Sequence, residues 1–254
     1  MTRVLLLGGS SEASAIARSV GARPDYDLTV SYAGRTRERV TTPGRVRVGG
    51  FGGIDGLAAY LRDDETDLLV DATHPFAAHM PHHAASAARR CRVPHLRVCR
   101  PGWSPQSGDR WQSVPDLDHA ADALRALAPV RVFLTTGRQE LAPFARVDDA
   151  WFLVRAIEEP SEVPLRNASV VLARGPFAED DERALLLEHR IDVIVSKNSG
   201  GDAAAAKLAA ARSLGLLVLM VARPDGPDVP TVETVEEALG WMERQRRDGQ
   251  RSAG

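Results

Sequence analysis

Residues 3–13 read RVLLLGGSSEA, and their order decides the fold. Arg3–Leu7 is a short, unbroken, mostly apolar run, the pattern of a strand covered on both faces. Gly8 and Gly9 end it, and Ser10 or Ser11 caps a helix expected over Glu12–Gly21. A strand passing through a tight turn into a helix opens a unit with a parallel sheet. The same alternation continues outward. Asp27–Tyr32, Arg45–Val48, Asp67–Asp71 and His95–Val98 predict strands, with helices over Ile54–Arg62, Phe76–Arg90 and Leu117–Leu127. The rhythm restarts at Val130–Leu134 and runs through strands at Trp151–Ala156, Ser169–Ala173, Asp192–Ser196 and Leu216–Val221. Helices are expected near Glu179–His189, Asp202–Leu214 and Val235–Arg246.

The expected class is α/β, with two parallel-sheet units built on right-handed crossovers. Pro129 follows a complete helix and precedes a fresh strand, so the boundary is expected there. Residues 1–128 would form one domain and 129–246 the other, with 247–254 a flexible polar tail.

Composition removes several classes. Of 254 residues, 44% are hydrophobic and 26% charged, which is globular rather than disordered. A net charge of −2 gives no general pull on nucleic acid. The longest apolar runs, such as Leu214–Ala222, fall well short of the ~20 residues of a membrane span. No basic-then-apolar leader opens the chain, and two cysteines, Cys91 and Cys99, cannot make a disulfide framework. A cytoplasmic setting is the expectation.

In open α/β sheets ligands sit at the carboxyl ends of the strands, and the unusual residues of this chain cluster there. Gly8, Gly9, Ser10, Ser11 and Glu12 follow the first strand and open a helix, a place where backbone N–H groups attract a phosphate. The spacing is not G-x-G-x-x-G, and a plain capped turn is the alternative. At the second strand end an NAD-binding unit carries an acidic residue, but here Ser31 and Arg35 stand in SYAGRTR. A serine and a guanidinium suit a 2′-phosphate, which favours NADPH over NADH; a solvated basic loop is the alternative. Asp71, Ala72, Thr73 and His74 end the central strand, with His74 directly before a proline and able to pass a proton. His79 and His83, four apart, share a helix face and allow a metal site, though no H-E-x-x-H is present.

Arg97, Arg100 and Trp103 lie at or past the strand His95–Val98 and would make a cationic, aromatic wall for an anionic ring-shaped ligand, or merely a surface loop. Thr136, Gly137 and Arg138 close the first strand of the second half. Lys197, Asn198, Ser199, Gly200 and Gly201 close a later one. Lys197 is one of only two lysines, with Lys207. Each turn alone would pass as a helix cap. There is no P-loop, no G-x-S-x-G elbow, no Tyr/Lys proton-donor pair and no C-x-x-C.

LLLGGSSEA, SYAGR, DATHPFA, RVCRPGW, LTTGRQEL, ARGPF and SKNSGG occur in this order. Together they resemble the precorrin-6A reductase family of cobalamin biosynthesis, from about Val4 to Lys207. DATHPFA and SKNSGG are the specific parts. The family commonly has threonine where this chain has Ser10, which keeps the hydroxyl. The resemblance implies an α/β fold of two Rossmann-like parallel-sheet domains with a ligand cleft between them, one for the nicotinamide cofactor and one for the tetrapyrrole, and allows terminal strands to be exchanged between the sheets. It implies NADPH-dependent reduction of precorrin-6A to precorrin-6B, with hydride going to one ring carbon and a proton to its neighbour. Gly8, Gly9, Ser10, Ser11 and Glu12 would then hold the pyrophosphate, and Ser31 with Arg35 the 2′-phosphate. Asp71, Ala72 and Thr73 would lie near the nicotinamide. The macrocycle carries many carboxylates, which Arg100, Arg138 and Lys197 suit; with His74, Arg97, Trp103, Thr136, Gly137 and the 198–201 turn they are the expected substrate residues. His74 is the candidate proton donor, with water next. No resident metal is expected. Whether the substrate carries cobalt stays open, as does a transient contact with the next enzyme of the pathway. Two rivals remain: a metal-dependent hydrolase using His74, His79 and His83, and a non-catalytic NADPH sensor.

Overall fold

The computed structural model describes residues 1–34 and 43–252. In chain order it contains β1 (Thr2–Leu7), α1 (Ser11–Val20), β2 (Tyr26–Tyr32), β3 (Arg45–Val48), α2 (Gly53–Asp63), β4 (Leu68–Asp71), α3 (Met80–Cys91) and β5 (His95–Val98). Then come β6 (Arg110–Val114), α4 (Leu117–Leu127), β7 (Val130–Leu134), β8 (Ala150–Ala156), β9 (Ala168–Leu172), α5 (Glu179–Glu188) and β10 (Val193–Lys197). The chain closes with α6 (Ala206–Leu214), β11 (Leu217–Val221), β12 (Thr231–Val232) and α7 (Val235–Ser252). Short 3-10 turns lie at Ala142–Arg146 and Asp202–Ala204.

Each of two compact units holds one six-stranded sheet. The first has the order β12-β5-β4-β1-β2-β3 and the second β6-β11-β10-β7-β8-β9. Every neighbouring pair is parallel. The strand order reverses between β1 and β4 in one sheet and between β7 and β10 in the other, and such switch points are where open α/β sheets bind ligands.

The apolar run of β1 is explained by its two covers. Val4 and Leu6 pack with Ile16, Ala17 and Val20 of α1 and with Ala238 and Met242 of α7. Leu5 and Leu7 point to the other face, against Leu57 and Leu61 of α2 and the alanines of α3. Period-two alternation thus feeds two cores from one strand. In the second unit Phe133, Ile194, Val218 and Met220 meet Leu186 of α5 and Leu208, Ala210 and Ala211 of α6.

The expected split at 128/129 is corrected. One unit is 1–100 with 224–254, and the other is 101–223. The reason lies at the sheet edges. β6 pairs with β11, with Arg110 opposite Leu217, so α4 is the crossover from β6 to β7 and belongs to the second unit. The late strand β12 completes the first sheet beside β5, through Arg97 N–H to Pro230 O and Cys99 N–H to Val232 O, both at 2.9 Å. Fully buried Ala238 and Met242 then bring α7 onto that sheet. Burying the Met242 side chain alone is worth about 1.5–3 kcal/mol.

Three smaller expectations also change. α3 starts at Met80 rather than Phe76, with Pro81 in its first turn, where a missing N–H costs nothing. A 3-10 turn precedes α6, which therefore begins at Ala206 rather than Asp202. α7 runs on to Ser252 where a frayed tail was expected from residue 247.

Candidate functional site

In the first unit the carboxyl ends of β1 and β4 meet. Leu7 pairs with Asp71, and Ala72 N–H bonds to Leu7 O at 3.0 Å. Ser10 ties the two loops together: its Oγ donates to Ala72 O at 2.8 Å and accepts the Ala13 N–H at 3.2 Å as the cap of α1. The Ser10 hydroxyl is thus committed to the fold. At this helix start the Ser11 N–H is among the orphan donors of the first turn. Gly9 has φ +144°, and a Cβ there would sit 3.3 Å from the His74 nitrogen. Only glycine lets the turn run this close to the β4 loop.

Glu12 and Arg100 form an ion pair at 2.8 Å at the same helix start, and Arg100 also donates to Ser11 Oγ at 3.3 Å. Burial pushes the Glu12 carboxyl up, but its backbone bond, Arg100 and Ser10 together bring it below the ordinary carboxylate range. Arg100 therefore belongs, like Arg97, to the first unit's strand ends and shares the glycine turn's neighbourhood, whereas Arg138 and Lys197 belong to the second unit.

Ser31, buried at the end of β2, accepts from Arg47 Nη1 at 3.3 Å. Arg47 lies over the Phe51 ring at 3.7 Å and bonds the Gly49 and Gly50 carbonyls. It puts a cation beside Ser31, which the expectation of a short strand over Arg45–Val48 did not reveal. Arg35 lies outside the described residues.

Asp71 is fully buried; its Oδ1 accepts the Thr73 N–H at 3.0 Å and its Oδ2 has no hydrogen-bond partner. Burial pushes its carboxyl above the usual range, against the pull of Thr73 and Arg97. Arg97 stands opposite Asp71 across the β4–β5 pair. In the unfolded chain this carboxyl loses its proton at lower pH than in the folded one. Folding stability therefore falls as pH rises from the unfolded pKa until the raised folded pKa is passed. Asp71→Asn abolishes that slope, so its stability relative to the parent chain should improve as pH rises from the ordinary carboxylate range upward in urea titrations. A difference that stays constant over that range contradicts the buried acid.

His74 is half-buried, and its Nδ1 accepts the Phe76 N–H at 3.2 Å. In the neutral ring this leaves the proton on Nε2, the atom then able to donate. His79 and His83 stack at 6.4 Å, and His82 bonds Asp225 O. Among the described residues no three His, Cys, Asp or Glu side chains come together to hold a metal ion, so the hydrolase reading finds no site.

In the second unit the ends of β7 and β10 carry the other two loops. Thr135 N–H and Oγ1 both bond Val195 O, locking the Thr135–Arg138 turn to β10. Thr136 is buried and Gly137 has φ +94°. Arg138 pairs with Glu158 at 2.8 Å and Lys197 with Glu140 at 2.5 Å. Trp103 is fastened to the 198–201 loop: its N–H donates to Asn198 Oδ1 at 2.7 Å, its indole N–H to Gly201 O at 3.1 Å, and Asn198 Nδ2 donates back to Trp103 O. Arg223 Nε bonds Asn198 O at 2.6 Å. Gly200 has φ +66°, and a Cβ there would overlap Pro101 O at 1.9 Å. Ser199 N–H turns back to Lys197 O at 2.7 Å.

The structure thus brings Gly8–Glu12, Ser31, Asp71–His74, Arg97 and Arg100 together at one set of strand ends. It brings Trp103, Thr136–Arg138 and Lys197–Gly201 together at another. Sequence reading missed Arg47 and the carboxylates Glu140 and Glu158. The two glutamates carried no signal beyond their charge, because their partners are distant in the chain or follow a loop.

The sequence profile of the precorrin-6x reductase CbiJ/CobK family matches residues 3–243. A protein named precorrin-6A reductase from Rhodococcus erythropolis is 50% identical over 224 residues, 88% of this chain and 90% of that one. One of the same name from Rhodobacter capsulatus is 43% identical over 243 residues, covering 95% and 96%. A solved structure described as CobK precorrin-6A reductase superposes with a TM-score of 0.90 at 42% identity, over 96% of this chain and 97% of that one. A cobalt-precorrin-6A reductase from Priestia megaterium is 27% identical over 234 residues, covering 87% and 90%. No helix among the described residues is long and apolar enough to cross a membrane.

Proposed function

The chain belongs to the precorrin-6x reductase CbiJ/CobK family, and from that premise we propose that it reduces the precorrin-6A macrocycle to precorrin-6B with NADPH. The observation that carries the reading is the gathering of its small-residue, cation-bearing loops at the two sheet switch points. The metal-free macrocycle is favoured over the cobalt form, because relatives named for the metal-free substrate are 43–50% identical and that named for the cobalt form in Priestia megaterium 27%.

The first unit's residues fit a nicotinamide dinucleotide. The Gly8–Gly9 turn permits close backbone approach, and the α1 start offers N–H donors to a pyrophosphate. A carboxylate at that helix start would repel phosphate, and Arg100 offsets it. Ser31, Arg47 and Arg35 supply the hydroxyl and guanidinium groups that a 2′-phosphate takes. When bound, the cofactor supplies the hydride. The chain's own residues hold and orient. In the second unit Arg138 and Lys197, beside the loop stiffened by Trp103 and Asn198, suit a macrocycle rich in carboxylates. The half-buried His74, with Nε2 protonated, is the side chain offered as proton donor to the carbon beside the one reduced.

Arg35→Ala tests the cofactor assignment. It should weaken NADPH binding about tenfold or more while leaving NADH binding within about twofold, as followed by cofactor fluorescence. Equal losses for both would move 2′-phosphate recognition elsewhere, with Arg47 the next residue to replace. A chain that binds NADPH tightly yet never turns over the macrocycle would be a sensor rather than a reductase.

A further inference from the structure

The second lysine of the chain, Lys207, has no part in the reading above. It stands in the first turn of α6, only 5% exposed, in a chain whose other basic residues are arginine apart from Lys197. A cation there meets two penalties, burial and the positive end of the helix. Its surroundings show what offsets them. Nζ donates to Ala204 O at 2.6 Å, the last carbonyl of the 3-10 turn that follows the 197–201 loop. It also lies over the Trp103 ring, 4.6 Å from the centroid. The indole N–H of that ring donates to Gly201 O, and the Trp103 backbone holds the same loop through its N–H to Asn198 Oδ1 and its carbonyl, which accepts from Asn198 Nδ2. Gly175 also approaches this turn closely, since a Cβ there would meet Ala203 O at 2.7 Å. The charged groups acting on Lys207 are Glu182 of α5 and Arg155 of β8, themselves joined in a buried two-bond pair. Burial is the dominant influence and pushes the ammonium down to about 7, with Glu182 pulling it up and Arg155 down. A guanidinium would never release its proton in this setting; an ammonium does.

We propose that Lys207 is the positioning residue of the second unit's binding loop: through Trp103 and the Ala204 carbonyl it fixes residues 197–204 in the shape that receives carboxylates of the anionic macrocycle. The inference rests on reading that loop as the macrocycle's site. Lys207 itself is buried beneath the loop and acts through Trp103.

Lys207→Met keeps the length and removes the charge. It should raise the KM for the macrocycle about tenfold, with kcat and the NADPH dissociation constant within about twofold. Trp103→Phe keeps a ring under the ammonium but loses the bond to Gly201. The double variant should be little worse than Lys207→Met, because both changes break one connection. The parent chain's KM should rise between about pH 6 and pH 8 as the ammonium discharges, and this rise should be absent in Lys207→Met. Additive effects, or a KM that ignores Lys207→Met, overturn the proposal. If Lys207→Met does not fold, the parent protein carries the test. Tryptophan emission should titrate over the same range, and that component should vanish in Trp103→Phe; its persistence there overturns the proposal. Lys197→Met separates the two failures. If it too leaves KM unchanged, the loop is not the macrocycle's site and the functional reading fails. If it raises KM where Lys207→Met does not, only the positioning role is lost.

Discussion

Glu182→Ala is expected to destabilise the second unit by about 3–5 kcal/mol, read as a lowered urea midpoint. The Glu182 and Arg155 side chains are only 2% and 10% exposed, and two bonds of 2.6 and 3.0 Å join them. Such a pair adds little net stability compared with a well-packed apolar pair, since both charges are stripped of water. Removing one partner is different, because the other charge is left buried and unmatched. Here the orphan would be the Arg155 guanidinium, lying over Phe133 at 4.7 Å and Phe177 at 4.1 Å. The change also takes from Lys207 the carboxylate that supports its charge. Glu182→Gln keeps an acceptor and should cost less. A loss below about 1 kcal/mol for the alanine variant would mean that water reaches the pair as it does at a surface.

Gly9→Val should weaken NADPH binding by about 10–100-fold, since 1–3 kcal/mol of backbone strain spans roughly that range. At φ +144° a branched side chain is a conformational outlier, and its Cβ would crowd the His74 nitrogen at 3.3 Å and Thr73 Cα at 3.7 Å. The turn and the β4 loop must then part, which spoils the donor array at the α1 start. Gly9→Ala should show the same effect in smaller measure. Fluorescence titration well below the unfolding temperature separates lost binding from lost fold. An unchanged affinity for NADPH would remove the glycine turn from the cofactor's site.

Much of this was legible in the chain because buried parallel strands are short apolar runs. RVLLL, DLLVD, VRVFL and DVIVS need no context to be found. β6 and β12 lacked that mark. RWQSV is largely exposed until its final Val114, and β12 is two residues long. Both are edge strands, and missing them moved the domain boundary. Pairing beside β11, not local pattern, assigns α4 to its unit. At the candidate site the turns were legible because glycine, serine, threonine and asparagine gather at the ends of the buried strands. The state of the cations was not. Arg100 with Glu12, Arg138 with Glu158 and Lys197 with Glu140 are each set by tertiary geometry, as is the burial of Lys207. Charge alone cannot tell a ligand-facing lysine from one buried beneath a loop.

The late strand β12 and helix α7 also bear on synthesis. Residues 101–223 form a contiguous unit that holds all six strands of its sheet once the ribosome has passed them. The first hundred residues emerge earlier yet stay unfinished, with β5 an open edge and Val4 and Leu6 lacking Ala238 and Met242. Until nearly the whole chain has been made, that nascent sheet presents unpaired N–H and C=O groups beside uncovered apolar side chains, the combination most prone to intermolecular pairing. Vectorial synthesis thus reverses the expected order: the half translated first is the last to become whole, and its exposure lasts as long as elongation takes.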